Sequence, residues 1–271
     1  MNKKWLAGPY LVWMVGFIVI PLLLIVYYGL TDKSGAFTLA NVLSISTPEH
    51  VKALWLSLGL SLVSTVICLV LAYPLAMILR NRGIGQGSFI VFIFILPMWM
   101  NFLLRTLAWQ TLLEKSGVIN GILSALHLPN QNLINTPGAI VLGMVYNFLP
   151  FMIYPIYNTL QKMDRNLIEA AQDLGANPFQ VFMKTIFPLS MPGVMSGIVM
   201  VFMPTVSTFA IAELLTMNNI KLFGTTVQEN INNGMWNYGA ALSLIMLLLI
   251  GITILFTNEE DNASNEGGGV I

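Results

Sequence analysis

Residues 164 to 193 read Asp164-Arg165-Asn166-Leu167-Ile168-Glu169-Ala170-Ala171-Gln172-Asp173-Leu174-Gly175-Ala176-Asn177-Pro178-Phe179-Gln180-Val181-Phe182-Met183-Lys184-Thr185-Ile186-Phe187-Pro188-Leu189-Ser190-Met191-Pro192-Gly193. This polar-bearing segment lies between two strongly apolar runs. Leu167, Ile168, Ala171 and Leu174 recur at helical spacing, with Glu169, Gln172 and Asp173 opposite, which predicts a short amphipathic helix. Gly175 ends it, because glycine turns at positive φ without a Cβ clash. Asn177 stands where an N-cap belongs and Pro178 at the first helical position, where its missing N–H costs nothing. Pro188 is read as the far limit of this second helix. The whole is a helix-turn-helix bracket.

The surroundings say where such a bracket lies. Of 271 residues, 56% are hydrophobic and only 9% charged, and the mean hydropathy is +0.76. Soluble domains carry roughly 25% charged residues, so the chain is an integral membrane protein of all-α class. Its formal charge of zero gives no basic face for nucleic acid. The one cysteine, Cys68, has no intrachain disulfide partner. Lys3 and Lys4 precede an apolar run too long for a signal-peptide core, which reads as an uncleaved first span.

A hydrocarbon core takes about 20 helical residues to cross, and six stretches are long enough: 9–30, 54–79, 88–112, 137–160, 191–215 and 239–257. Lys3, Lys4, Arg80, Arg82, Lys162, Arg165 and Lys184 fall on one side of these spans, and Lys33, Lys52, Lys115 and Lys221 on the other. The positive-inside rule makes the first side cytoplasmic, with both termini and the 164–188 bracket on it. Residues 258–271 are expected to form a flexible acidic tail on a single transmembrane domain.

Inside the spans, Ser57, Gly59, Ser61 and Ser64 offer small surfaces for close helix approach. Pro97, Asn101, Arg105 and Trp109 recur every four residues and would share one helix face. Trp99 sits beside that proline. Span four carries Tyr146, Pro150, Tyr154 and Pro155, and span five carries Pro204 followed by Phe209 and Glu213. Interior prolines are associated with transporter cavities, and an intramembrane Arg or Glu is costly without a partner or water. Trp99, Asn101, Arg105, Tyr146, Tyr154, Phe209 and Glu213 are therefore the candidates for a translocation pathway, with packing as the alternative for Trp99 and headgroup placement as the alternative for Arg105 and Glu213. Arg105 is expected to pair with Glu213. His50 and His127 fall in outer loops without a second ligand at metal spacing, so no metal site is expected.

The spacing of Glu169-Ala170-Ala171, Gly175 and Pro188 resembles the EAA signature of bacterial ABC importer permeases, with Thr185 and Phe187 departing from the usual residues. Leu96-Pro97-Met98-Trp99-Met100-Asn101 with Arg105, and Tyr146 with Leu149-Pro150-Phe151-Met152, look like the permease subunits of spermidine/putrescine importers, over about residues 8 to 257. That resemblance implies a type I ABC permease fold and an ATPase-coupling role for Glu169, Ala170, Ala171, Asp173, Gly175 and Pro188. It also implies the partners: a second permease, an ATPase dimer and an extracytoplasmic substrate-binding protein. The chain contains no G-x-x-x-x-G-K-[ST] run and no Gly-Lys pair, so it is not expected to bind nucleotide, and ATP and Mg would belong to the ATPase partner. Another small solute on the same scaffold, and an ion-coupled secondary carrier, remain alternatives to a polyamine importer.

Overall fold

The computed structural model describes residues 8–81 and 96–266. Ten helices are named here: α1 (Gly8–Gly29), α2 (Pro48–Asn81), α3 (Phe102–Leu113), α4 (Val118–Ala125), α5 (Pro137–Lys162), α6 (Arg165–Asp173), α7 (Pro178–Ser207), α8 (Ala210–Thr216), α9 (Phe223–Asn232) and α10 (Trp236–Glu266). No strand occurs among the described residues. Five of these helices, α1, α2, α5, α7 and α10, are long and apolar enough to cross a membrane. The expected third span begins at residue 88, and its part up to residue 95 lies outside the described residues. From Leu96 on, it is a 3-10 turn (Leu96–Trp99), a break, and then α3.

Three helices form the centre. α2, α5 and α7 pack on one another, with Ser57, Ser61 and Ser64 wholly buried along α2 as the small-residue reading requires. Gly59 is exposed with open space beyond it, and does not belong to that surface. On α7, a Cβ at Gly193 would meet the Pro155 carbonyl oxygen at 2.8 Å, so glycine sets how closely α7 approaches α5. α1 rests on α10, where Gly29 lies against the Ala241 backbone, while most of α1 presents its apolar side chains outward.

The prolines depart from expectation in one consistent way. Pro188 does not end a helix; α7 runs from Pro178 through Pro188, Pro192 and Pro204 to Ser207. A π-turn at Phe182–Ile186 holds Lys184, the residue four before Pro188 whose carbonyl the ring would otherwise strike. α1 repeats the device, its π-turn Val15–Val19 holding Phe17, four before Pro21. The fifth span also ends earlier than residue 215, because Thr208 is extended and α8 starts afresh at Ala210. Beyond residue 257 the chain continues as helix to Glu266 rather than as a flexible tail, having no proline or glycine before Gly267 to stop it.

The core divides in two. One cluster, at the bracket end, joins Tyr73, Ala76 and Leu79 of α2 to Met152, Ile156 and Leu160 of α5 and to Val181, Ile186 and Val194 of α7. The other, at the far end, joins Leu113 and Ile134 to Ile140 and Met144 of α5 and to Ile211 and Leu215 of α8.

Candidate functional site

The bracket is built from three local devices. Asp164 caps α6, its carboxylate accepting the Asn166 N–H at 3.0 Å. At the other end Gly175 has φ +82°, its N–H reaches the Gln172 carbonyl at 2.8 Å, and the Ala176 N–H reaches the Ala171 carbonyl at 3.1 Å. Those two bonds make a complete Schellman stop, which satisfies carbonyls the helix leaves unpaired. Asn177 and Gln180 then form a capping box, each side chain taking the other's backbone N–H at 2.9 Å.

The amphipathic face is divided. Ile168 and Ala171 pack against the bracket-end core. Leu167 and Leu174 do not join them: both point outward, Leu174 being 89% exposed, and Phe179 and Met183 are exposed beside them. Glu169, Ala170, Asp173 and Gly175 are exposed as well, and Pro188 is exposed further along. Apolar side chains of this size left in the open around a turn mark an interaction surface, for another protein or for the membrane. Behind it, Phe182 and Phe187 pack on the Tyr73 ring, whose hydroxyl meets Ser190 at 2.7 Å, so the bracket is tied to α2 as well as to α7.

The candidate pathway residues are less unified. Asn101 does not share a helix face with Pro97, since the helix starts after it; its side chain caps α3 by accepting the N–H groups of Leu103 and Leu104. Trp99 is 75% exposed. Arg105 and Trp109 do lie on α3, and Trp109 meets Tyr146 edge-on at 5.4 Å. Arg105 is only 7% exposed, and its Nε and Nη1 have no hydrogen-bond partner. Glu213 lies on α8, which packs on α3, but it is exposed and makes no ion pair with Arg105. Among the described residues the only ion pair is Lys221–Glu229, at 2.7 Å. Phe209 sits in the break between α7 and α8, and Tyr146, Tyr154 and Phe209 are all exposed.

The family described as "Binding-protein-dependent transport system inner membrane component" matches residues 55–258. The chain belongs to that family. As a permease it is 33% identical over 255 residues to the spermidine/putrescine transport system permease protein PotB of Haemophilus influenzae, covering 89% of this chain and 88% of that one. It is 32% identical to the protein of the same name from Escherichia coli strain K12, covering 90% and 92%. The permease also shares its fold with a chain of a bacterial ABC transporter involved in the import of the acidic polysaccharide alginate, at TM-score 0.80, 17% identity and coverage of 97% and 96%. The chain is thus an ABC importer permease of all-helical type I fold.

Within this permease, several polar contacts join helices that are distant in sequence. Asn147, almost wholly buried, donates to the Gly143 carbonyl at 2.9 Å and to the Thr106 hydroxyl at 3.4 Å, linking α5 to α3. Ser57 on α2 accepts the Phe223 N–H at 2.8 Å and so caps α9. His50 is no free loop histidine; its Nε2 lies 2.5 Å from the Tyr238 hydroxyl at the start of α10. Burial of a polar residue inside an apolar run is the signal that marks Asn147 in the sequence, whereas nothing local identifies the partners of Ser57 or His50.

Proposed function

We propose that this permease carries polyamines, spermidine and putrescine in particular, through the membrane as one of two permease subunits of an ATP-driven importer. The observation that carries this reading is the one-third identity, over about nine-tenths of both chains, to permeases named for spermidine/putrescine transport. The physical chemistry is compatible: aromatic faces at Trp99, Tyr146 and Tyr154, an exposed carboxylate at Glu213, and Phe209 beside it are groups that hold ammonium ions. Asn101 orders the start of α3, and Arg105, buried with unmet donors, is proposed to gate the pathway rather than to touch a cationic substrate.

In the same reading the bracket end faces the cytoplasm and both termini lie there, in the inner membrane of a bacterium. An ATPase dimer holds ATP and Mg and docks on Glu169, Ala170, Ala171, Asp173 and the turn at Gly175, with Pro188 exposed further along α7. A substrate-binding protein delivers the polyamine to the far end. The test is uptake of labelled spermidine, putrescine and a neutral sugar by the complex of this chain with those partners in vesicles. Uptake of a polyamine that needs ATP, and that falls about tenfold in Glu213→Gln while assembly is retained, is expected, a loss equivalent to about 1.4 kcal/mol. Sugar uptake without polyamine uptake would overturn the substrate, and unchanged transport by Glu213→Gln would remove that carboxylate from the pathway.

A further inference from the structure

A recess of about 290 Å³ lies between the end of α2 and the first turns of α6, lined by Arg80, Asn81, Arg165, Ile168, Glu169 and Gln172. Arg80 is only 8% exposed, and its one hydrogen bond is a 3.4 Å donation from Nη2 to the Met163 carbonyl. The Arg165 side chain makes no hydrogen bond or ion pair with the described residues, although its charge acts on Arg80. Glu169 lines the same recess, yet it pairs with neither arginine. Two like charges therefore face a shared space, one of them largely withdrawn from water, with most of their donors unused.

We infer that this recess binds the phosphate of an anionic phospholipid headgroup. Guanidinium groups present forked N–H donors that match phosphate oxygens, and an anion between them relieves the repulsion. Asn81 and Gln172 add amide donors for the glycerol and ester oxygens. The location selects a lipid over a free anion. The spanning helix α5 ends here at Lys162 beside the last described turn of α2, so the recess opens at headgroup depth, and Ile78, one turn before Asn81 on α2, is exposed to receive an acyl chain. Basic pockets between spanning helices on the cytoplasmic side are suited to such headgroups, and the leaflet there is anionic. The inference rests on the proposed orientation and on nothing about the substrate.

The experiment uses the assembled importer purified in mild detergent, with native mass spectrometry of lipids retained from vesicles of phosphatidylcholine with or without phosphatidylglycerol. Phosphatidylglycerol is expected to stay bound to the parent and to Arg165→Lys, and to fall about fivefold in Arg165→Gln, the equivalent of one basic residue near an anionic surface. Arg165 is exposed, so its replacement does not endanger the fold as Arg80→Gln would. Equal retention by Arg165→Gln overturns the site. Displacement of the lipid by millimolar inorganic phosphate reassigns the recess to a free anion and overturns the lipid. Loss of the ATPase from Arg165→Gln with lipid retention unchanged assigns the recess to a carboxylate of that partner, which also overturns it. Labelling of a cysteine placed at Asn130 from the outside reports the orientation separately.

Discussion

The two ends of the molecule are made by different means. At the bracket end, long helices converge and each turn is stopped or started by residues adjacent in the chain: Asp164 to Asn166, Gly175 to Gln172, Asn177 to Gln180. At the far end, short helices are held by bonds between distant residues, such as Ser57 to Phe223 and Asn135 to the Leu215 carbonyl. Local caps make a surface whose shape survives when neighbours move, which suits a part that must transmit contact with another subunit. Cross-chain bonds make a surface whose shape depends on how helices are arranged, which suits a part that opens and closes.

The comparison breaks most visibly at Gly175. A β-branched side chain at φ +82° costs about 1–2 kcal/mol from backbone sterics alone, although a Cβ there meets open space. Gly175→Val is expected to insert normally and to lose the ATPase on co-purification, whereas a normally assembled, transporting variant would show that the turn is not the docking element. Next comes Gly224, where a Cβ would sit 2.7 Å from the Ser207 carbonyl oxygen and 2.9 Å from that of Thr208. Gly224→Ala should destabilise the far end by about 1–3 kcal/mol. Faster hydrogen exchange in α9 with α6 unchanged is the expected signature; equal acceleration at both ends would contradict their independence.

Asn177→Ala removes one half of the capping box and should cost about 1 kcal/mol, raising exchange over residues 178–181 alone, with Asn177→Ser restoring protection. The smallest effect concerns pH at the far end. Desolvation pushes the Glu229 carboxyl up, but hydrogen bonds from Lys221 and Asn218 and the Lys221 charge outweigh it and leave it below its ordinary value of 4.5. A depressed carboxylate adds stability that is present above the unfolded value and lost as pH falls through the folded one. Protection of α9 should therefore weaken below about pH 4.5, and Lys221→Met should reduce that dependence in exchange measurements, the Asn218 hydrogen bond remaining.

Local determination is also what made the bracket readable. Gly175, Asn177 and Pro178 each specify a backbone state through their own side chains, and all three stand where the sequence places them. Pro188 misled because a π-turn relieves its clash, and Phe182 of that turn packs on the Tyr73 ring, a partner distant in sequence. The outward placement of Leu167 and Leu174 runs against amphipathic periodicity, and in the proposed importer the surface they occupy is covered by the ATPase. At the far end, Asn101 before an apolar run was a cap signal mistaken for one face of a longer helix. The break at Thr208 and Phe209 carries neither glycine nor proline. It shifts Glu213 onto a separate short helix, and the charge pairing expected with Arg105 is not made.

One helix nevertheless joins the two ends. α7 begins with the capping box and finishes at the Thr208 break, and its 30 residues span about 45 Å at 1.5 Å per residue. It crosses Gly193, where it lies tightest against α5, roughly midway along. A rod pinned near its middle is a lever: pushing the Asn177 end one way swings the Ser207 end the other, by a similar distance and without any change in hydrogen bonding along it. A displacement of the docked bracket would then reach Phe209 as mechanical work rather than as a relay of side-chain contacts.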